Sequence, residues 1–132
     1  MNEPRPTDPE AGVLMAYPAV TIPAETTVQD AVRLFLHRYP FRAFPTLTGS
    51  EVVGLVTIER IDATLPAERS TTTVGEIAET APDLFISEHL NVTELLERAE
   101  FRRVGRAVVL SERSGVGILS MTEIQRALER SE

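Results

Sequence analysis

Apolar residues recur along the chain in short bursts, and the spacing within each burst predicts an element. Val20-Thr21-Ile22 reads as a short strand stopped by Pro23. Val28, Ala31, Val32, Phe35 and Leu36 follow at helical spacing, with Thr26 or Thr27 as cap, Asp30 in the first turn and Pro40 as the stop. Residues 43–47 and 52–56 read as two strands joined by the turn Thr48-Gly49-Ser50. A helix is expected from Thr57 towards Ala63, closed by Pro66, and residues 66–73 form a polar linker. The order then returns: a short helix at 74–78, a strand at 84–86, a helix at 92–101, strands at 106–110 and 116–119, and a helix at 121–128. Residues 1–12 are expected to be a flexible leader and 13–16 a short apolar turn.

The second half therefore restates the first. A shift of 64 lays Val20 on Leu84, Ile22 on Ile86, Val28 on Val92 and Val32 on Leu96. The same shift puts Arg42-Ala43 on Arg106-Ala107. One residue is then expected to drop out of a turn, so that Gly54-Leu55-Val56-Thr57 falls on Gly117-Ile118-Leu119-Ser120. A unit of that length is too long for a solenoid repeat and suits two small modules that share a core. Each half alone would bury too little surface for robust stability. The expected organisation is α+β, with a leader over 1–12, one repeat over 13–66 and the other over 67–132.

Composition narrows the chemistry. The chain has 132 residues, 42% of them hydrophobic, and no cysteine, which removes disulfides, thiolate catalysis and cysteine-based metal sites. Two histidines, His37 and His89, are too few for a histidine-rich metal centre. The net charge of −7 disfavours binding to nucleic acid. All 13 cationic residues are arginine, whose forked guanidinium suits phosphate oxygens. No apolar run approaches the ~20 residues of a membrane span, and residues 1–12 lack the apolar core of a signal peptide. A cytoplasmic location is expected. Neither a Gly-x-Ser-x-Gly elbow, a phosphate-binding loop nor a dinucleotide fingerprint is present, so no enzyme is expected.

Three segments, each present twice, carry a resemblance to a known family. They are the strand and helix cap at Val20–Val28 and Leu84–Val92, the Arg-Ala before a short apolar strand at Arg42-Ala43 and Arg106-Ala107, and the Gly-apolar-apolar-hydroxyl run at Gly54–Thr57 and Gly117–Ser120. Their doubled order resembles the tandem CBS-domain pair, or Bateman module. The resemblance implies two β-α-β-β-α CBS repeats packed as a pseudo-two-fold pair, and a homodimer. The stretch Arg38–Pro45 and the linker Thr71–Ile77 are similar to the cytosolic CBS tails of bacterial site-2-type membrane metalloproteases, which implies an attached membrane protease domain.

CBS pairs bind adenosine-containing ligands in clefts between the repeats, so the resemblance implies AMP, ADP, ATP or a related molecule as ligand, with no cofactor required. The family places a hydroxyl residue at the strand-to-helix step and an aspartate three residues later, facing the ribose diol. Thr57 and Ser120 match the hydroxyl. The acidic position is Arg60 in the first copy, which has donors and no acceptor for a diol. Such an arginine meets a phosphate or fills the cleft by pairing with a nearby acid. In the second copy the position is Glu123, which keeps the carboxylate and makes that cleft the better nucleoside site. Arg42 and Arg106 are candidate phosphate ligands. Ile86 marks the strand whose backbone would hold the adenine ring. The expected function is a regulatory ligand-sensing module. The alternative is a structural dimerisation module with degenerate clefts, which Arg60 favours.

Overall fold

The computed structural model describes residues 8–130. The element order is α1 (Ala11–Leu14), β1 (Ile22–Pro23), α2 (Val28–Ala31), β2 (Ala43–Thr48), β3 (Glu51–Thr57), α3 (Ile58–Ala63), α4 (Val74–Ile77), β4 (Phe85–Ser87), α5 (Val92–Leu96), α6 (Ala99–Val104), β5 (Arg106–Leu110), β6 (Val116–Ser120) and α7 (Met121–Arg130). Two mixed three-stranded sheets, β1-β2-β3 and β4-β5-β6, each combine one parallel and one antiparallel pairing. The expected α+β class and the strand-helix-strand-strand-helix order hold in both halves.

The chain divides into two compact units. The first comprises residues 20–80; the second comprises residues 81–130 together with the N-terminal arm 8–19. These boundaries differ from the expected 13–66 and 67–132, and the cause lies in where backbone groups find partners. In the second unit the Ala11 and Gly12 amides donate to the carbonyls of Leu90 and Glu88, and the Val92 amide donates to Pro9. Ala16 and Ile118 then exchange both backbone hydrogen bonds, so the arm continues along the edge of β6. In the first unit, Val74 and Gly75 donate to Thr26 and Ala24, Val28 donates to Thr72, and Glu79 exchanges both bonds with Leu55 on β3. Each sheet is thus completed by a helix-and-bridge arm from the sequence that precedes the other repeat. Of the leader expected over 1–12, residues 1–7 lie outside the described residues, and 8–12 are an ordered part of the arm.

Two glycines permit this edge approach. A Cβ on Gly54 would stand 2.7 Å from the Ala78 Cβ, and one on Gly117 would meet the Met15 side chain and the Ala16 carbonyl. The arms therefore contact strand backbone directly.

Each unit has its own core. Ile22, Val28, Ala31, Phe44, Val56, Ile61 and Val74 pack together in the first. The second is built around Ile86, Val92, Leu95, Phe101, Ala107, Val109, Leu119 and Ile124, with Ala11 from the arm. Burying each large apolar side chain contributes about 1.5–3 kcal/mol, which holds these short elements in place.

Two helices depart from expectation. The helix expected over 92–101 is two, because Arg98 adopts extended geometry (φ −77°, ψ 126°) between them. In one straight helix Val92 and Phe101 would stand on faces about 180° apart at 100° per residue. Both are fully buried in one core, and the break is what allows it. The helix expected over 28–36 is α-helical only to Ala31, and Val32–Leu36 widen into a π-turn.

The strand registers also revise the repeat. Ala43 pairs with Thr57, and Arg106 pairs with Ser120, so the two hairpins match at a shift of 63 as far as Thr46 and Gly54, beyond which the first hairpin carries a bulge. Ile22 lies beside Thr46 and Ile86 beside Val109, so the shift is still 64 at β1 and β4. The residue that drops out lies between helix and strand, not in the hairpin turn. Arg106 therefore corresponds to Ala43, and Arg42 corresponds to Gly105.

Candidate functional site

The strand-to-helix step is the same local construction in both units. In the second, Ser120 ends β6 and caps α7: the Glu123 amide donates to Ser120 Oγ at 3.1 Å. Glu123 Oε1 reaches back to accept from the Ser120 amide at 3.2 Å and from the Ser120 hydroxyl at 3.1 Å. This reciprocal arrangement is a capping box, which satisfies backbone donors that a helix start leaves without partners. Thr73 and Glu76 form the same box at α4. The Ser-x-x-Glu spacing announces the box in the sequence. Glu123 therefore has a structural task before any ligand arrives, and of its two carboxylate oxygens Oε1 performs it.

Arg106 sits directly across the antiparallel pair from Ser120. Directly opposed residues place their side chains on one face of the sheet, with Cβ atoms about 5 Å apart. Arg106 thus lies across the strand pair from a hydroxyl that is bonded to a half-buried carboxylate, where β5, β6 and α7 meet. Ile86 is different: its side chain is buried in the core, so only the backbone of its strand can face a ligand. That strand, β4, lies at the edge of its sheet, with one side not engaged in strand pairing.

In the first unit Thr57 is buried and caps α3 by accepting from the Arg60 amide at 3.1 Å. Ala43, not an arginine, lies opposite it. Arg42 stands one residue ahead of β2 and reaches the exposed Glu59 at 3.4 Å. The Arg60 side chain is half exposed, and its Nε donates to the buried Glu79 Oε2 at 2.9 Å. The seven expected site residues accordingly fall into two groups. Ser120 and Glu123 bond to each other with Arg106 across the strand pair from Ser120, and Ile86 lies in the core; Thr57, Arg60 and Arg42 lie at the step of the first unit, where Arg60 already holds an acid. Glu79 is the residue that motif reasoning missed. Its only sequence signal is the match of 74–79 to 11–16 at the hairpins' shift of 63.

A second polar cluster lies on the arm side of the second unit. The His89 Nδ1 is 3.1 Å from Glu10 Oε1, and its Nε2 is 3.5 Å from Glu112 Oε1. Hydrogen bonding to Glu10, then to Glu112, holds the imidazole pKa above its ordinary value. Glu88 accepts from the Glu112 amide, which holds its carboxyl pKa below the usual range.

Residues 11–66 match the family model of the CBS domain. That segment carries a CBS domain. The matched segment starts in the arm and runs through β1, β2 and β3 to the end of α3. Solved CBS structures share the fold. The CBS domain of a bacterial CNNM/CorC family Mg2+ transporter, solved in complex with ATP, superposes with a TM-score of 0.74 at 20% identity over 92% of this chain and 87% of that one. CBSX2 in complex with AMP gives 0.73 at 19% identity over 92% and 97%. Hypoxic Response Protein I, solved with two coordinated zinc ions, gives 0.73 at 23% identity over 89% and 97%. At these identities the likeness to CBS structures is one of fold. No curated protein matches in sequence. No helix among the described residues is long and apolar enough to cross a membrane.

Proposed function

We propose that this chain is a regulatory module that senses an adenosine-containing nucleotide at the β6–α7 step of its second unit. The placement of Arg106 across the strand pair from the bonded Ser120 and Glu123 carries the reading. A guanidinium suits phosphate oxygens through paired donors. Glu123 Oε2, the oxygen not used in the capping box, is an acceptor for a ribose hydroxyl. The edge of β4 offers backbone groups to an adenine ring. The folds described with ATP and AMP support adenine nucleotides as the ligand class.

The capping box also suggests how occupancy becomes a signal. A ligand that takes both oxygens of Glu123 must release the Ser120 amide and loosen the first turn of α7. Binding then favours one of two local states, which is what regulation requires. In this reading the module works in the cytoplasm as a homodimer, and an attached membrane metalloprotease domain is the regulated partner.

Calorimetric titration with AMP, ATP and S-adenosylmethionine tests the site on wild type, Glu123→Gln and Arg106→Ala. Glutamine keeps a capping acceptor while removing the charge, so it separates ligand recognition from helix capping. The expected result is binding at millimolar concentration or tighter, weakened in both variants, with Arg106→Ala losing more for ATP than for AMP. Absence of heat with all three ligands moves the weight to a structural dimerisation module with degenerate sites. The Arg60–Glu79 pair and a capping box complete without a ligand favour that second reading. Size-exclusion chromatography with light scattering checks the dimer common to both.

A further inference from the structure

The first unit answers the charge at its strand-to-helix step from within. Arg60 stands where the second unit has Glu123, and Glu79 stands on the arm where the second unit has Ala16, since Leu55 bridges Glu79 as Ile118 bridges Ala16. Relative to its twin, the first unit has a cation on the helix and a carboxylate on the arm. The Glu79 side chain is only 7% exposed. Its backbone is fixed by two hydrogen bonds to Leu55 at 2.8 and 2.9 Å, and the close packing of Ala78 on Gly54 fixes the residue before it. The backbone that carries the acid cannot leave without breaking the arm from the sheet. Its Oε2 already accepts from the Arg60 Nε.

We infer that Glu79 acts as a built-in occupant of the first unit's site, so that the chain takes up one nucleotide and not two. A ribose diol finds an arginine where it needs an acceptor. A phosphate finds a guanidinium whose charge is neutralised by a carboxylate 2.9 Å away. Both halves of a nucleotide are refused by the same pair. The inference rests on the β6–α7 step being the working site, and it names the device that makes the two steps unequal.

The experiment combines stoichiometry with mapping. Wild-type protein is titrated with ATP and AMP by calorimetry, and amide chemical-shift changes are followed by NMR. The expected result is one ATP per chain, with shifts at Ser120–Ile124 and none of comparable size at Thr57–Ile61. Glu79→Gln, which keeps the volume, is expected to add a weaker second ATP event and none for AMP. The double variant Arg60→Glu with Glu79→Ala copies the second unit at the helix and arm positions, while Ala43 still stands where the second unit has Arg106, and is expected to add a second event for both nucleotides, weaker than the first. Circular dichroism verifies that each variant is folded; if the variants unfold, the wild-type mapping decides. Two sites in wild type, comparable shifts at Thr57–Ile61, or a folded double variant that gains nothing overturns the inference. No binding to wild type but one site gained in the double variant sinks the proposed function and the one-per-chain stoichiometry, and leaves standing only that Glu79 fills the first unit's step.

Discussion

Arg106 faces Ser120 across the β5–β6 pair, whereas Arg42, its apparent counterpart in the repeat, precedes its own strand and bonds to Glu59. One residue of offset separates a side chain held on the face of a sheet from one held out in solvent. Arg42→Ala is therefore expected to leave nucleotide affinity unchanged and stability within about 0.5 kcal/mol, because both partners are mostly exposed. Arg106→Ala is expected to weaken ATP by several fold. Parallel titrations of the two variants check the contrast, and equal losses would contradict it.

Thr46 is fully buried, and its hydroxyl has no hydrogen-bond partner among the described residues. Its register counterpart in the second unit is Val109. Thr46→Val removes an unsatisfied polar atom while keeping the shape, and is expected to stabilise by about 1 kcal/mol. In a chain of this size that raises the midpoint of thermal unfolding by roughly 3–5 °C.

The two close-approach glycines are not equally replaceable. An added Cβ at Gly54 meets the Ala78 Cβ at 2.7 Å and the Glu79 carbonyl oxygen at 3.3 Å, neither of which moves without the backbone. At Gly117 the nearest obstacle is the Met15 thioether, the end of a flexible side chain. Gly54→Ala is expected to cost about 1–3 kcal/mol and Gly117→Ala clearly less. Chemical denaturation of both variants gives the comparison.

Removing either side of the Arg60–Glu79 pair has unequal consequences. Arg60 is half in water (47% exposed) and Glu79 is not. Arg60→Ala leaves a buried carboxylate without its guanidinium and is expected to destabilise by about 1–2 kcal/mol. Glu79→Gln leaves an arginine that water can reach and is expected to cost less. Urea unfolding at pH 7 measures the difference, and a larger loss in Glu79→Gln would refute this account.

The histidine between Glu10 and Glu112 gives the second unit a pH dependence. As an imidazolium it donates from both nitrogens; as a neutral ring it donates from one. Because folding raises its pKa, the stabilisation is fully present below the unfolded-state histidine value of about 6.5 and is lost as pH climbs through the raised value. Glu88 acts oppositely: its contribution is present above the unfolded carboxyl value and is lost as pH falls through its lowered one. NMR titration of the His89 ring is expected to give a value above 6.5 in wild type and a lower one in Glu10→Gln. No difference between the two would remove Glu10 from the account.

The elements were legible because their causes are local. Strand alternation, helix spacing, proline stops and the caps at Thr27, Thr57 and Ser120 all act within a few residues, and both hairpins lie where the pattern puts them. The capping box at Ser120–Glu123 was equally present in the sequence, although the same spacing also fits a ligand carboxylate, and only geometry shows Oε1 in use. The break at Arg98 was not legible, since periodicity cannot say that Val92 and Phe101 must enter one core.

The sequence by itself determined the repeat, its α+β elements and the charges at each step, because these follow from side-chain type and short-range spacing. Tertiary structure alone decided three things: which arm completes which sheet, which arginine stands opposite Ser120, and that Arg60 meets Glu79. Each depends on backbone hydrogen bonds between segments far apart in the chain. A shift of one residue in such pairing leaves composition and periodicity unchanged while it moves every side chain to the other face.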